Sequence, residues 1–234
     1  MQQAIGVFNP RRPCHENKIF ALGAEILKMA SMLIDMHIHT RLSPCSRLQI
    51  GEILAHARTR GLDGICITDH NLMDIRHVLA EGVQPDGLCV IFGMEYSTPQ
   101  GDFLIFGPFE KITPELPADQ LLRHVQECGG LAVAAHPFRK ARPVDERLIR
   151  QGLCGAIESC NGRNTPLENA AADQWRQRCG LTACGGSDAH TLPELGACAT
   201  RFCVPIQTRA DLIQALKQGR CRPEIPSFGK AAAI

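Results

Sequence analysis

Short apolar runs recur along the chain, and most are followed by a polar turn or a stretch of helical period. The runs predict strands at Leu33–His37, Gly64–Thr68, Cys89–Glu95, Phe103–Phe106, Leu131–Ala135, Gly155–Glu158, Leu181–Cys184 and Thr200–Val204. Apolar residues three and four apart predict helices at Gln49–Arg60, Asp74–Ala80, Asp119–Cys128, Asp145–Gln151, Leu167–Arg178 and Arg209–Gln218. Strands alternating with helices imply parallel strands joined by crossover helices. Eight short strands in a chain of this length suit a closed or nearly closed α/β barrel, with a doubly wound open sheet as the alternative. The tail beyond Gly219 contains Pro223 and Pro226 and reads as irregular.

The start of the chain breaks this rhythm. Asn9-Pro10-Arg11-Arg12-Pro13 leads into an amphipathic stretch from Ile19 to Ala30, where Glu25 and Lys28 interrupt any signal-peptide core. Met32 directly precedes the first strand. The expected organisation is an extension over residues 1–31 and one domain over residues 32–234. The extension is either peripheral, even an artefact of start-site choice, or a helix that docks on the barrel.

Charge and cysteine usage narrow the class. The 234 residues carry 25 basic and 24 acidic side chains, so no global field favours long nucleic acid or an anionic membrane. No apolar run approaches the roughly 20 residues that span a bilayer. None of the 12 cysteines forms a C-x-x-C pair, and Cys66, Cys89, Cys154 and Cys203 sit inside apolar runs. This usage is that of a cytoplasmic protein with reduced thiols.

The chemistry gathers at the strand ends. The first strand ends Asp35-Met36-His37-Ile38-His39-Thr40. Side chains two apart on a strand share a face, so His37 and His39 project together with Asp35 behind them, while Met36 and Ile38 face the other way. Two adjacent imidazoles can chelate an ion, and Asp35 can orient one of them. Later strands end in Thr68-Asp69-His70, Gly93-Met94-Glu95, Ala135-His136-Pro137 and Gly186-Ser187-Asp188-Ala189-His190, and Asp102 opens the fourth strand. Each group alone has a plain structural explanation, because polar residues after a strand often cap helices or form turns. Together they place five of the nine histidines at successive strand ends, which converge on one face of a parallel barrel. Five imidazoles with Glu95, Asp102 and Asp188 exceed the needs of one ion and point to a multinuclear site.

These motifs, in this order from about Met32 to about Val204, resemble the PHP (polymerase and histidinol phosphatase) family. The resemblance implies a distorted (β/α)7 TIM-like barrel holding two or three divalent ions (zinc, manganese or iron) and hydrolysing phosphate esters. Carried over by residue, His37, His39 and Asp188 hold the first ion, Glu95 bridges it to a second held by His136, and His70 with His190 hold a third. Two positions depart from the familiar pattern. Asp102 stands where many members offer a histidine, and its harder oxygen suits manganese or iron. Cys45 stands where some members offer a further histidine; as a thiolate it favours zinc, and otherwise it is unligated.

The implied mechanism is attack by metal-activated hydroxide, with Glu95, Asp188 and His190 as the catalytic set. No G-x-S-x-G or Walker A sequence appears. Arg41, Arg139, Arg142 and Arg163 follow strands on the same face and are candidate phosphate anchors, though any one of them alone reads more readily as solvated surface charge. The expected partner is a small phosphorylated substrate, possibly a nucleotide. The alternatives are a metal hydrolase of a non-phosphate bond, as in amidohydrolases, and a non-catalytic metal-binding regulatory domain. His56, His77 and His124 fall in helix patterns, Cys14-His15 lies in the leader, and Trp175 reads as packing.

Overall fold

The computed structural model describes residues 31–227; the N-terminal extension and its Cys14-His15 pair lie outside the described residues. Eleven strands and five α-helices are formed within that range. The strands are β1 (Met32–Ile38), β2 (Gly64–Ile67), β3 (Gly82–Val83), β4 (Cys89–Phe92), β5 (Met94–Thr98), β6 (Gly101–Phe106), β7 (Leu131–Ala134), β8 (Ala156–Asn161), β9 (Thr182–Gly186), β10 (Ala199–Phe202) and β11 (Cys221–Glu224). The helices are α1 (Ile50–Ala57), α2 (Ala118–Glu127), α3 (Glu146–Arg150), α4 (Pro166–Cys179) and α5 (Arg209–Lys217).

The class is mixed α/β, as expected, but the ladder is not one closed ring. Six strands form a sheet in the order β11-β10-β1-β2-β4-β3, and five form a second in the order β5-β6-β7-β8-β9. Two isolated parallel bridges, Ile38 with Ala189 and His70 with Glu95, stand where the sheets meet. The predicted strand Cys89–Glu95 is really two strands in different sheets, broken at Gly93. A Cβ on Gly93 would lie 2.6 Å from the Phe106 ring, so only glycine lets the chain pass there. No helix fits between β4 and β5, or in the two-residue turn between β5 and β6. The pair β5–β6 is therefore antiparallel rather than parallel, and β6–β7 is antiparallel as well, although α2 lies between those two strands.

Local chemistry explains the element ends. Thr165 caps α4, Pro166 occupies its first turn, and Glu168 reaches back to the Thr165 N–H; Gly180 ends the helix in left-handed backbone. The segment Asp74–Ala80 forms only a short 3-10 turn at Asp74–His77. The tail is less irregular than expected: β11 pairs antiparallel with β10, and its Pro223 is tolerated because the strand lies at a sheet edge.

Two apolar cores result. The outer one packs α1, α2, α3 and α4 on the sheets through Ile53, Leu121, Val125, Leu148 and Trp175. The inner one lies between the sheets, where Ile34, Met36, Ile91, Leu104, Val133 and Cys184 meet Leu212 and Leu216 of α5. Among the described cysteines, Cys160 and Cys198 stand sulfur to sulfur and the other nine are free. Among the described residues no helix is long and apolar enough to cross a membrane.

Candidate metal centre

The site lies above the inner core, at the strand ends, and two bulges aim its side chains. Three steps along β1, from Asp35 to Ile38, match two along β2. The extra residue breaks the alternation. Met36 enters the inner core and Ile38 the outer one, contrary to the expectation that they share a face, and His37 is turned towards the site. A second shift between Glu158 and Cys160 on β8 does the same for Asn161.

Seven side chains converge. The Nε2 atoms of His37 and His39 are 3.0 Å apart. Glu95 Oε2 lies 3.4 Å from the first and 3.1 Å from the second. Asp188 Oδ1 lies 3.6 Å and 3.4 Å from the same two atoms. His136 Nε2 is 2.9 Å from Glu95 Oε1, and His70 Nδ1 is 3.0 Å from Glu95 Oε2. His190 Nδ1 is 3.6 Å from Asp188 Oδ1. Three overlapping ligand groups result: His37, His39 and Asp188; His37, Glu95 and His136; His39, His70 and His190.

This donor set fits divalent ions. Ligands about 2.1 Å from a tetrahedral centre stand about 3.4 Å from one another, close to the spacings among His37, His39, Glu95 and Asp188. Hydrogen bonding leaves part of the set unexplained. His70 Nδ1 is buried and close to Glu95, yet out of line for a hydrogen bond, and His136 Nδ1 is buried without a partner. Backbone geometry is also unusual at two of these residues: His136 has φ 29° and Asp188 has φ 56°, values that side-chain-bearing residues adopt mainly where surrounding structure enforces them.

Electrostatics follow from burial set against opposite charge. Burial disfavours a charged His37, but Asp188, Glu158 and Glu95 outweigh it and hold its pKa well above the usual value. His39 is raised against its own burial by Asp188 and Glu95. Burial acts to raise Glu95 and Asp188, and the neighbouring imidazoles reverse this, holding both below the usual carboxylate range. His70 and His190 are lowered by burial. Ions binding here would displace protons from the His37–His39 pair.

The supporting carboxylates differ from expectation. Asp35 does not touch an imidazole; it accepts the backbone N–H groups of Ser187, Gly196 and His37, and burial pushes its pKa up to about 6. His37 instead meets Glu158, whose Oε1 is 3.0 Å from Nδ1. His39 Nδ1 meets Ser43 Oγ at 3.3 Å, and Ser43 donates to Asp69. Sequence reasoning passed over Glu158, Asn161 and Ser43. A glutamate inside the buried run Ala156–Asn161 was the available signal.

Two predicted ligands stand outside the three groups. Asp102 is held by Arg142 through bonds of 2.6 Å from both Nε and Nη2, so its harder oxygens are already engaged. Cys45 is exposed and joins none of the groups. Among the arginines, Arg139 donates to Asp188, Asn161 and Asn164. Arg163 approaches His190 Nδ1 at 3.0 Å from the exposed rim. Arg41 lines a mostly apolar pocket of about 310 Å³ with Leu42, Ile50, Ile75 and Val78. His56, His77 and His124 are exposed and stand in none of the ligand groups.

Fold and donor set together define an α/β protein with a candidate multinuclear metal centre, and the comparisons supply the family. The PHP domain profile matches residues 35–163, more than half of the chain, and the PHP-associated profile matches residues 166–221. The chain belongs to the PHP family, whose members are metal-dependent hydrolases and phosphoesterases. Its fold is similar to that of PsfC from Pseudomonas syringae, with TM-score 0.69 and 21% identity over 85% of this chain and 93% of that one. A two-domain protein from Bacteroides vulgatus containing a predicted PHP-like metal-dependent phosphoesterase gives TM-score 0.65 and 18% identity, over 84% and 65% of the two chains. The lesion-specific endonuclease Q of Pyrococcus furiosus gives TM-score 0.63 and 16% identity, over 82% and 57%.

Proposed function

We propose that the protein is a phosphoesterase that hydrolyses a phosphate ester of a small substrate with two or three divalent ions held in this centre. The observation that carries the reading is the convergence of five imidazoles with Glu95 and Asp188 in a set that is buried except at the half-buried His70. Bound there, such ions lower the pKa of water and polarise a phosphoryl oxygen. Glu95 presents one oxygen to His136 and the other to His37, His39 and His70, which suits a carboxylate shared between ions. His190 Nδ1 can donate to the Asp188 carbonyl at 2.8 Å, which leaves the Nε2 lone pair to bind an ion. Arg163, exposed at the rim, matches the outer oxygens of a phosphate. Arg139 adds positive charge beside Asp188, and Arg142 is already committed to Asp102. The expected number and identity of ions and the cytoplasmic setting belong to this reading too.

Endonuclease Q shares the fold, which motivates a second reading with DNA as substrate. The balanced charge of the chain favours the small substrate. The test is elemental analysis of chelator-free protein, with the same sample assayed on aryl phosphates, nucleotides and lesion-bearing duplex DNA. Two or more equivalents of metal, with phosphatase activity lost in His37→Ala, are expected. Turnover of DNA alone would favour the second reading, and folded protein that takes up no metal on reconstitution would refute both.

A further inference from the structure

Glu158 lies in none of the three ligand groups, yet it meets His37 and the backbone of His136, which are members of them. It is fully buried, and among the described residues its ion-pair partner is His37 rather than any lysine or arginine. A buried carboxylate in that position is costly unless donors satisfy it. Three do. His37 Nδ1 is 3.0 Å from Oε1, the His136 backbone N–H donates to Oε2 at 2.7 Å, and Asn161 Nδ2 donates to Oε2 at 2.9 Å. Each donor has a consequence. A proton held on His37 Nδ1 leaves the Nε2 lone pair for the centre. The bond to the His136 N–H pins a residue whose φ is 29°. Asn161 passes the contact on, since it accepts from Arg139 and approaches Asp188 Oδ2 at 3.4 Å. The backbone makes room for this arrangement: a Cβ on Gly186 would come within 2.9 Å of Glu158 Oε1.

We propose that Glu158 is a positioning residue that builds the His37–Glu95–His136 group, fixing the tautomer of His37 and the backbone pose of His136 with one carboxylate. The inference rests on the metal-centre reading and adds to it a residue that no ligand pattern contains. A glutamine cannot replace it fully. Its single oxygen can accept from His37 or from His136 and Asn161, and its amide then faces another donor.

The experiment is a Zn²⁺ titration against a chromophoric chelator for the wild type, Glu158→Gln and His37→Ala, with the histidine tautomers of the zinc-loaded wild type read by ¹⁵N NMR. Expected are His37 protonated on Nδ1, and zinc affinity weakened about ten- to a hundredfold in Glu158→Gln with its metal-free fold retained. Wild-type zinc affinity and stoichiometry in Glu158→Gln would overturn the inference while leaving the metal centre intact. Should that variant fail to fold, the wild-type spectrum decides: a His37 protonated on Nε2 overturns the proposal. Wild-type protein that takes up no zinc refutes the metal centre itself, and the inference with it.

Discussion

Gly186→Ala tests whether the seam between β1 and β9 sets the aim of His37. Gly186 is not among the glycines in left-handed backbone, so a change there is purely steric. An added Cβ would collide with His37 Cβ and stand 2.8 Å from His37 N and 2.9 Å from Glu158 Oε1. The first two obstacles, a Cβ fixed directly to the β1 main chain and a main-chain nitrogen, cannot swing aside. Overpacking of this kind costs about 1–3 kcal/mol, and two fixed obstacles place this case near the upper figure. For a domain of this size that is a fall of about 6–12 °C in melting temperature. The seam must open to admit the methyl group. Asp188 N donates to His37 O at 2.7 Å across it, so opening separates the ligands of the His37–His39–Asp188 group. Thermal unfolding and metal content should therefore fall together. Gly51→Ala is the control: nothing lies within 4 Å of its added Cβ, and its effect should stay within about 1 kcal/mol. A Gly186→Ala protein that melts with the wild type and carries its full metal would refute the reasoning.

Arg142→Ala strips a buried carboxylate of two short bonds, but Arg142 is half exposed and water can follow it; a loss of about 1–3 kcal/mol in urea unfolding is expected. Asp102→Asn should leave metal stoichiometry unchanged, and a lost equivalent on elemental analysis would restore Asp102 as a ligand. The metal-free protein should be most stable near the ordinary histidine value of 6.5. Below it, the depressed Glu95 and Asp188 and the lowered His70 and His190 make stability fall as pH falls. Above it, the raised His37 and His39 keep protons that the unfolded chain has released, so stability falls as pH rises. Asp35, raised to about 6, opposes the acid limb in part. Melting across pH in chelator, then in Zn²⁺, checks this: zinc replaces the protons and should reverse the alkaline decline, and an unchanged alkaline limb would count against the centre.

The candidate ligands were legible because their chemistry is written locally. A histidine or carboxylate at a strand end carries its meaning in a few adjacent residues, and the parallel strands β1, β2, β8 and β9 bring such ends together. Their aim was not legible, because it depends on partners far away in the chain. The period of two along β1 places Met36 and Ile38 together, but the bulge that separates them exists only against β2. Asp35 reads as the natural orienter of His37 because it is two residues away. The group that orients it is Glu158, 121 residues on, and Asp35 instead ties β1 to the loops after β9. Asp102 stands outside the ligand groups for the same reason. Its type and place on β6 suit a metal, and only the fold brings Arg142 against it. Gly93 is the sharpest case on the fold side, since one residue within an unbroken apolar run turns an expected parallel strand into the start of an antiparallel meander. A residue's type thus indicates whether it can bind an ion, while long-range carboxylate and bulge contacts decide whether it faces one; Glu158 and Gly186, neither a ligand, are the positions where changing the sequence should most directly change the centre.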